Sequence, residues 1–169
     1  MDQASSLLLG SLIRDRSVAA LATLHDGLPA ASMIPYAVDA EDGRLRFITH
    51  VSRLSAHTRD MLESPAVCLL ITAAESATTM PQSLPRVSIP ATATFVDPNH
   101  DDHANLSGRY LEKFPSTADF FQLGDFSIVA LEPASARFIA GFGRAMTLSP
   151  AQLLAAVRGS PPPAGRGIA

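Results

Sequence analysis

The stretch that decides the fold of this chain is Phe47–Thr58, FITHVSRLSAHT. It starts as a strand-like run over Leu45–Thr49 and continues through hydroxyl and basic residues into a helical pattern over Ala56–Glu63. Backbone N–H groups at a helix N-terminus are unpaired and carry the positive end of the helix dipole, so they attract anions. The segment therefore predicts a phosphate site at a strand-to-helix junction. A capped surface helix with solvated charges is the alternative interpretation of the same residues.

The predicted phosphate site combines hydroxyl groups with basic side chains. The hydroxyl groups belong to Thr49, Ser52, Ser55 and Thr58, and the basic groups to Arg53, His57 and Arg59. One such cluster has room for one terminal phosphate, and the chain contains no GxGxxG dinucleotide motif. We therefore expect FMN as the cofactor rather than FAD or NAD.

The composition indicates one folded domain that does not act on nucleic acid. A chain of 169 residues with 47% hydrophobic residues can form a substantial core. Its net charge of -3 argues against nucleic acid as the main partner, because duplex binding needs clustered Lys and Arg. Lys113 is the only lysine, so arginine supplies the remaining positive charge and favours fixed, planar recognition.

Features of secretion, membrane insertion and cysteine chemistry are missing from the sequence. Cys68 is the only cysteine, which excludes an intrachain disulfide and a cysteine-based metal site. The apolar block Leu7–Leu9 is too short for a signal peptide, and no run approaches the ~18 apolar residues that span a bilayer. We expect a cytoplasmic protein with no membrane partner.

Short strands separated by turns and helices make up most of the predicted structure. The predicted strands cover residues 17–24, 30–38, 44–49, 66–72, 86–95, 126–131 and 137–139, and the predicted helices cover residues 5–14, 56–63, 99–114, 116–123 and 149–158. This order predicts a mainly β fold with flanking helices, built around an antiparallel barrel. We expect a single domain over residues 1–148, then a short C-terminal helix and flexible tail over residues 149–169.

Two further motifs lie towards the C-terminal half. His100 and His103 stand among Asn99, Asp101 and Asp102, which we interpret as capping residues of a helix rather than as a metal site. The run Gly141–Arg144, GFGR, predicts a close backbone approach with Arg144 contacting an anion. A β-bulge that ends the last strand is the alternative.

The chain resembles a known family through motifs that occur in a fixed order. These are Gly27-Leu28-Pro29, Ser32-Met33-Ile34-Pro35-Tyr36, Asp39 with Gly43, Ser52-Arg53-Leu54, His57-Thr58-Arg59, Pro85-Arg86, Arg109-Tyr110-Leu111, Pro115, Asp125-Phe126 and Gly141-Phe142-Gly143-Arg144-Ala145. Together they resemble the pyridoxamine 5′-phosphate oxidase-like FMN-binding split barrels, most closely the haem-utilisation subfamily. The resemblance covers roughly residues 14–148. It implies a split β-barrel.

The resemblance also implies a homodimer that holds FMN at its interface. The strand-to-helix segment would hold the phosphate, the strand Ser32–Tyr36 would pack on the ring, and Arg86 would reach the ring edge. The parent oxidases carry lysine at the position of His57, so affinity here is expected to be weaker or pH-dependent. The full set of expected cofactor-binding residues is Ser32, Met33, Ile34, Pro35, Tyr36, Thr49, His50, Ser52, Arg53, Leu54, Ser55, His57, Thr58, Arg86 and Arg144.

The leading functional expectation is an FMN-dependent oxidoreductase of an unidentified small molecule, with no catalytic residue assigned. A haem-binding protein is the first alternative, with Arg144 on the propionates and His25, His50 or His57 on the iron. A non-catalytic flavin-binding module is the second. Members of the haem-utilisation subfamily usually carry a further C-terminal domain, and this sequence is expected to be too short to include it.

Overall fold

The computed structural model describes residues 1–159, so the predicted flexible tail beyond that point lies outside the described residues. Its helices are α1 (Gln3–Asp15), α2 (Ala56–Glu63), α3 (Asp101–Lys113) and α4 (Pro150–Gly159), with short 3-10 helices at Pro81–Ser83 and Pro115–Gln122. Its strands are β1 (Val18–His25), β2 (Leu28–Pro35), β3 (Ala37–Asp39), β4 (Arg46–Ser52), β5 (Ala66–Thr72), β6 (Arg86–Phe95), β7 (Phe126–Pro133), β8 (Ala136–Gly141) and β9 (Arg144–Leu148).

The strands form one curled antiparallel sheet in the order β2-β1-β5-β6-β7-β4-β3, with β8 pairing β6 and β9 pairing β8. The two ends of this path, β2 and β3, are separated in sequence only by Tyr36, so the sheet must curl back towards itself. The Tyr36 N–H donates to the carbonyl of Ser17 at 3.1 Å, and its hydroxyl donates to the carbonyl of Ile13 at 2.8 Å. This half-barrel with flanking helices confirms the predicted split-barrel class.

Two apolar clusters pack on opposite faces of the sheet. The larger one fills the barrel and continues to α1 and α4, whose buried residues include Leu9, Ile13, Leu153 and Val157. The smaller one lies between α3 and the outer side of β4 and β7. Because β4 is covered on both sides, nearly all of its residues are buried, in contrast to the alternating pattern of β1.

The strands β7 and β8 act as one long partner of β6 that is interrupted by a bulge. β7 pairs with residues 91–95 of β6 and β8 with residues 86–88, and the register shifts by one residue between them. The shift occurs at Pro90, whose carbonyl accepts from the N–H of Ala134 at 2.8 Å. A proline is tolerated inside this strand because the ladder changes its partner there.

The bulge also reverses which residues face the barrel. Val129 and Leu131 of β7 belong to the main core, and after the bulge the core positions are Ala136 and Phe138 of β8. Side chains alternate along a strand with a period of two, so one extra residue exchanges odd for even positions.

Aspartate-glycine pairs make two of the tight hairpins. Asp26 and Gly27 connect β1 to β2, Asp42 and Gly43 lie between β3 and β4, and all four residues have positive φ values between 49° and 76°. This is the backbone that a two-residue hairpin turn requires.

The structure corrects three local predictions. The predicted strand over residues 30–38 is two strands, because the chain turns at Tyr36. The strand β9 was not predicted, and the GFGR run is the turn of the β8–β9 hairpin, where Gly143 has a φ of 72°. The N-cap of α3 is His100, whose Nδ1 accepts from the N–H of Asp102 at 3.1 Å, rather than one of the neighbouring Asn and Asp residues.

A buried arginine ties α3 to the sheet. Arg46 on β4 contacts the carboxylate of Asp39 on β3 and that of Asp102 on α3, each at 2.8 Å. Asp39 is 1% exposed, and its second oxygen, Oδ1, has no hydrogen-bond partner among residues 1–159. Asp102 is therefore an ion-pair partner rather than a cap.

Candidate functional site

The strand-to-helix junction that the sequence assigns to phosphate is formed by β4 and α2. Three of its four hydroxyl groups donate hydrogen bonds to acceptors elsewhere in the chain. Thr49 donates to the carbonyl of Pro35 at 2.9 Å, Thr58 donates to the carbonyl of Ser52 at 2.7 Å, and Ser52 donates to a carboxylate oxygen of Asp125 at 2.6 Å. Thr49 and Thr58 are fully buried. These hydroxyl groups stabilise the junction itself, and Asp125 adds a negative charge next to it.

The exposed part of the junction is basic and apolar. The N-cap Ser55 makes no side-chain capping bond, and burial lowers the pKa of His57, which keeps its ring neutral near pH 7. Arg53 and Arg59 are exposed, and neither makes a side-chain hydrogen bond or ion pair within residues 1–159. We define the α2 surface as Arg53, Leu54, Arg59 and Leu62; the two leucines are 82% and 62% exposed.

The segment Ser32–Tyr36 was expected to pack on a flavin ring. Its side chains alternate between the inner and the outer side of the sheet. Ile34 and Tyr36 are buried, whereas Met33 is 64% exposed on the outer side of the sheet. The Ser32 hydroxyl is buried and has no hydrogen-bond partner among the described residues. The bond from Thr49 to Pro35 brings the end of this strand to β4, so the structure joins these two groups of predicted residues.

Two predicted cofactor residues make contacts elsewhere in the chain. The Arg86 guanidinium donates to the carbonyls of Gln82 and Leu84, which hold the preceding loop. Arg144 donates to the carboxylate of Asp2, the N-cap of α1, at 3.2 Å and to the hydroxyl of Ser5 in the first turn of α1 at 2.9 Å. The anion that Arg144 contacts in this structure is therefore Asp2.

His50 is enclosed by aromatic rings. Its ring stacks on Phe121 with centroids 3.9 Å apart, and Tyr110 and Phe126 lie within 6 Å. Burial, with a smaller effect from nearby His103, lowers the pKa of His50 to about 4. A neutral ring that is 8% exposed belongs to the packing between β4 and α3 and is poorly placed to bind a ligand.

His25 lies at the end of β1 and is held by a buried carboxylate from α2. Its Nδ1 is 2.7 Å from Asp60 Oδ1, and the hydroxyl of Thr23 donates to Asp60 Oδ2 at 2.7 Å. The Asp60 side chain is 3% exposed and that of His25 is 52% exposed. The hydrogen bond to Asp60 raises the pKa of His25, and the bonds from His25 and Thr23 lower the pKa of Asp60.

Sequence reasoning missed Asp60 and Thr23. Asp60 stands 35 residues after His25 on a separate element, and no spacing rule connects the end of a strand to the second turn of a later helix. The only signal is that Thr23 and His25 alternate on one face of β1.

Comparison with known proteins supports the resemblance. The profile of the pyridoxamine 5′-phosphate oxidase family matches residues 9–140. This chain belongs to that family. The pyridoxamine 5′-phosphate oxidase profile thus runs from within α1 into β8, and it includes both β4 and α2, which form the candidate site.

Two relatives of this chain have names that refer to haem. The chain is 33% identical over 122 residues to the chloroplastic heme oxygenase HOZ of Arabidopsis thaliana, covering 72% of this chain and 35% of HOZ. It is 27% identical over 138 residues to heme oxygenase HutZ of Vibrio cholerae, covering 80% of this chain and 76% of HutZ. The chain therefore spans about a third of the plant relative.

A solved structure supports the fold. The chain superposes on a heme binding protein from Mycobacterium smegmatis with a TM-score of 0.78 at 23% identity, covering 96% of this chain and 63% of that protein. The likeness confirms the split barrel.

Two further features concern metals and membranes. Within residues 1–159, no group of three or more His, Cys, Asp and Glu side chains could hold a metal ion. No helix in the same range is long and apolar enough to cross a bilayer.

Proposed function

We propose that this member of the pyridoxamine 5′-phosphate oxidase family binds haem and acts in haem utilisation. Haem is a flat apolar macrocycle with two propionate carboxylates, so its site needs apolar surface and cations together. The observation that carries the proposal is the α2 surface, on which Arg53 and Arg59 stand beside two strongly exposed leucines. The names of HOZ and HutZ support the same ligand.

The hydroxyl groups of the junction favour haem over a phosphate ester. A phosphate is held by several donors that converge on its oxygens. Here Thr49, Ser52 and Thr58 use their protons on chain acceptors, and the acceptor of Ser52 is a carboxylate. Haem does not require these hydroxyl donors, because Arg53 and Arg59 can each bind one of its two propionate carboxylates.

Titration of the purified chain with hemin tests the proposal. We expect a Soret band that saturates at one haem per chain, with micromolar or tighter affinity. Ascorbate added to the complex in air then tests an oxygenase role: loss of the Soret band assigns a degrading protein, and a stable band assigns a haem carrier. A chain that gives no saturable Soret band contradicts the proposal.

FMN is the second candidate, as the cofactor of an oxidoreductase acting on a small molecule. The N-terminus of α2 favours it, because Ser55 makes no capping bond and Arg53 lies next to it. Titration of the same protein with FMN decides between the two ligands. If micromolar FMN is bound, as shown by quenching of its fluorescence, and hemin binding is not saturable, FMN is the favoured cofactor.

A homodimer is the expected assembly, and an uncharged face of the sheet supports it. We define the outer sheet face as the outward residues of β1, β2 and β5: Val18, Ala20, Ala22, Leu24, Pro29, Ala31, Met33, Ala66, Cys68, Leu70 and Thr72. They form rows across the strands, since Ala20 pairs with Met33 on one side and Leu70 on the other.

The chemistry of this face suits a second copy of the chain. None of its residues is charged, and a twofold interface places the same patch on both sides, where like charges would repel. Monomeric proteins rarely leave an apolar patch of several strands exposed.

A further inference from the structure

His25 differs from the other four histidines in how its ring is held. All five lie within the described residues, and His25 alone makes a hydrogen bond to a carboxylate. A carboxylate can only accept, so Nδ1 of His25 bears the proton and the lone pair is on Nε2. The solvent-exposed carboxylate of Asp26 lies 3.8 Å from Nε2, which is beyond hydrogen-bond distance.

Asp60 fixes this ring from a rigid position. Its carboxylate is buried, and both oxygens are used: Oδ1 by His25 and Oδ2 by Thr23. Thr23 and His25 belong to β1 and Asp60 belongs to α2, so the arrangement links two separate elements. A histidine that ligates a metal almost always donates its other N–H to such an acceptor, which orients the ring and increases its basicity.

The surroundings of His25 also suit a haem edge. Leu28, directly across the β1–β2 hairpin, is 70% exposed. Arg59 precedes Asp60 on α2 and lies close enough to act electrostatically on both His25 and Asp60. An apolar side chain and a cation are thus present near His25, together with the carboxylate of Asp26.

We infer that Nε2 of His25 is the axial ligand of the haem iron, with Asp60 and Thr23 as the residues that position it. The inference rests on the proposed function and assigns the one role that the sequence left open among His25, His50 and His57. His50 is enclosed by aromatic rings, and His57 is half-buried and makes no hydrogen bond to a carboxylate within residues 1–159.

Hemin titration of the full-length chain and its His25→Gly variant tests the ligand. We expect the variant to bind hemin at least tenfold more weakly and to lose the signature of histidine ligation, which is the iron–histidine stretch in the resonance Raman spectrum of the ferrous complex. Added imidazole should restore that spectrum, which shows that the variant is folded. His100→Gly is the matched control, because His100 is also exposed, and it should leave the spectrum unchanged.

Asp60→Asn tests the positioning role separately. The variant keeps the ligand but loses the anionic acceptor, so the iron–histidine stretch should move to lower frequency and affinity should fall by about tenfold or more. Thr23→Val removes the bond that holds Asp60 Oδ2 and should weaken hemin binding by less than Asp60→Asn does. If hemin binds His25→Gly with an unchanged spectrum, the ligand assignment is wrong while the proposed function stands. If the wild-type chain binds no hemin, the proposed function itself fails.

Discussion

The only lysine of the chain, Lys113, places its Nζ 4.6 Å from the centre of the Tyr36 ring. The same ammonium donates to the carbonyl of Arg16 at 2.6 Å and to that of Arg14 at 3.4 Å. Carbonyls at the end of a helix lack intrahelical donors, so the last residue of α3 satisfies the end of α1. Tyr36 joins the two ends of the sheet path, and Lys113 therefore fixes the helix layer to that junction.

Lys113→Met should destabilise the fold by about 2 kcal/mol, because it removes charged hydrogen bonds and a cation–π contact while keeping most of the side-chain volume. Urea unfolding followed by circular dichroism measures the change. Arg109→Met is the control: its ion pair with Glu41 is solvent-exposed and is expected to contribute less than about 1 kcal/mol. Equal unfolding midpoints for the two variants would refute this role of Lys113.

Arg46→Met should cost about 3–5 kcal/mol, because it leaves the buried carboxylate of Asp39 without its partner. A double variant that adds Asp39→Asn removes the stranded charge and should recover part of the loss. The free energies of unfolding of the wild type, the single variant and the double variant test this expectation. A single variant as stable as the wild type contradicts it.

Stability should fall between pH 6.5 and about 4 because of His50. Its folded-state pKa is about 4, below the ordinary value of 6.5, so the unfolded chain binds more protons in this window. The contribution of the neutral ring is therefore fully present above pH 6.5 and is lost as pH falls through the folded pKa. His50→Gln should show a flatter pH dependence of the unfolding free energy over this range. Parallel curves for the two proteins would show that another group titrates there.

Ala22→Glu should dissociate the proposed homodimer, because the twofold axis brings each new carboxylate into an interface without compensating cations. Light scattering after size-exclusion chromatography should give twice the chain mass for the wild type and one chain mass for the variant. Ala145→Glu, at an exposed position of β9 outside the outer sheet face, should remain a dimer. A wild-type monomer overturns the assembly.

Replacing both Arg53 and Arg59 by alanine should weaken hemin binding at least tenfold, since a charge-assisted hydrogen bond contributes roughly 1.5–3 kcal/mol. Arg144→Ala should change the affinity less than twofold, because its guanidinium contacts Asp2 and Ser5. Fluorescence or absorbance titration measures all three dissociation constants. A loss caused by Arg144→Ala equal to that of the double variant would move the haem site to the β8–β9 hairpin.

Helices and strands were predictable where residues within or next to the element mark its ends. α2, β5 and β6 begin and end at the predicted residues, because Pro65 stops the helix and apolar runs mark the two strands. The family resemblance extended this to the split-barrel class. β9 was missed because the glycines of the GFGR run signal a chain reversal without indicating that another strand follows.

The candidate site was predictable only in part. The strand-to-helix junction and its basic residues stand where the sequence places them. The partners of their hydroxyl groups could not be predicted, since Asp125 is 73 residues away from Ser52. The contact between His25 and Asp60 has the same origin: tertiary packing of α2 on β1 creates it, and neither residue carries a local signal.

The bulge between β7 and β8 makes this connection tolerant of a shorter chain. The connection contains one extra residue, so without Ser135 the core residues Ala136 and Phe138 would follow Val129 and Leu131 in regular alternation. Removal of Ser135 should therefore straighten the strand while Phe138 stays inward. A single-codon deletion should be tolerated here better than inside the regular strands β1 and β5, which have no spare residue.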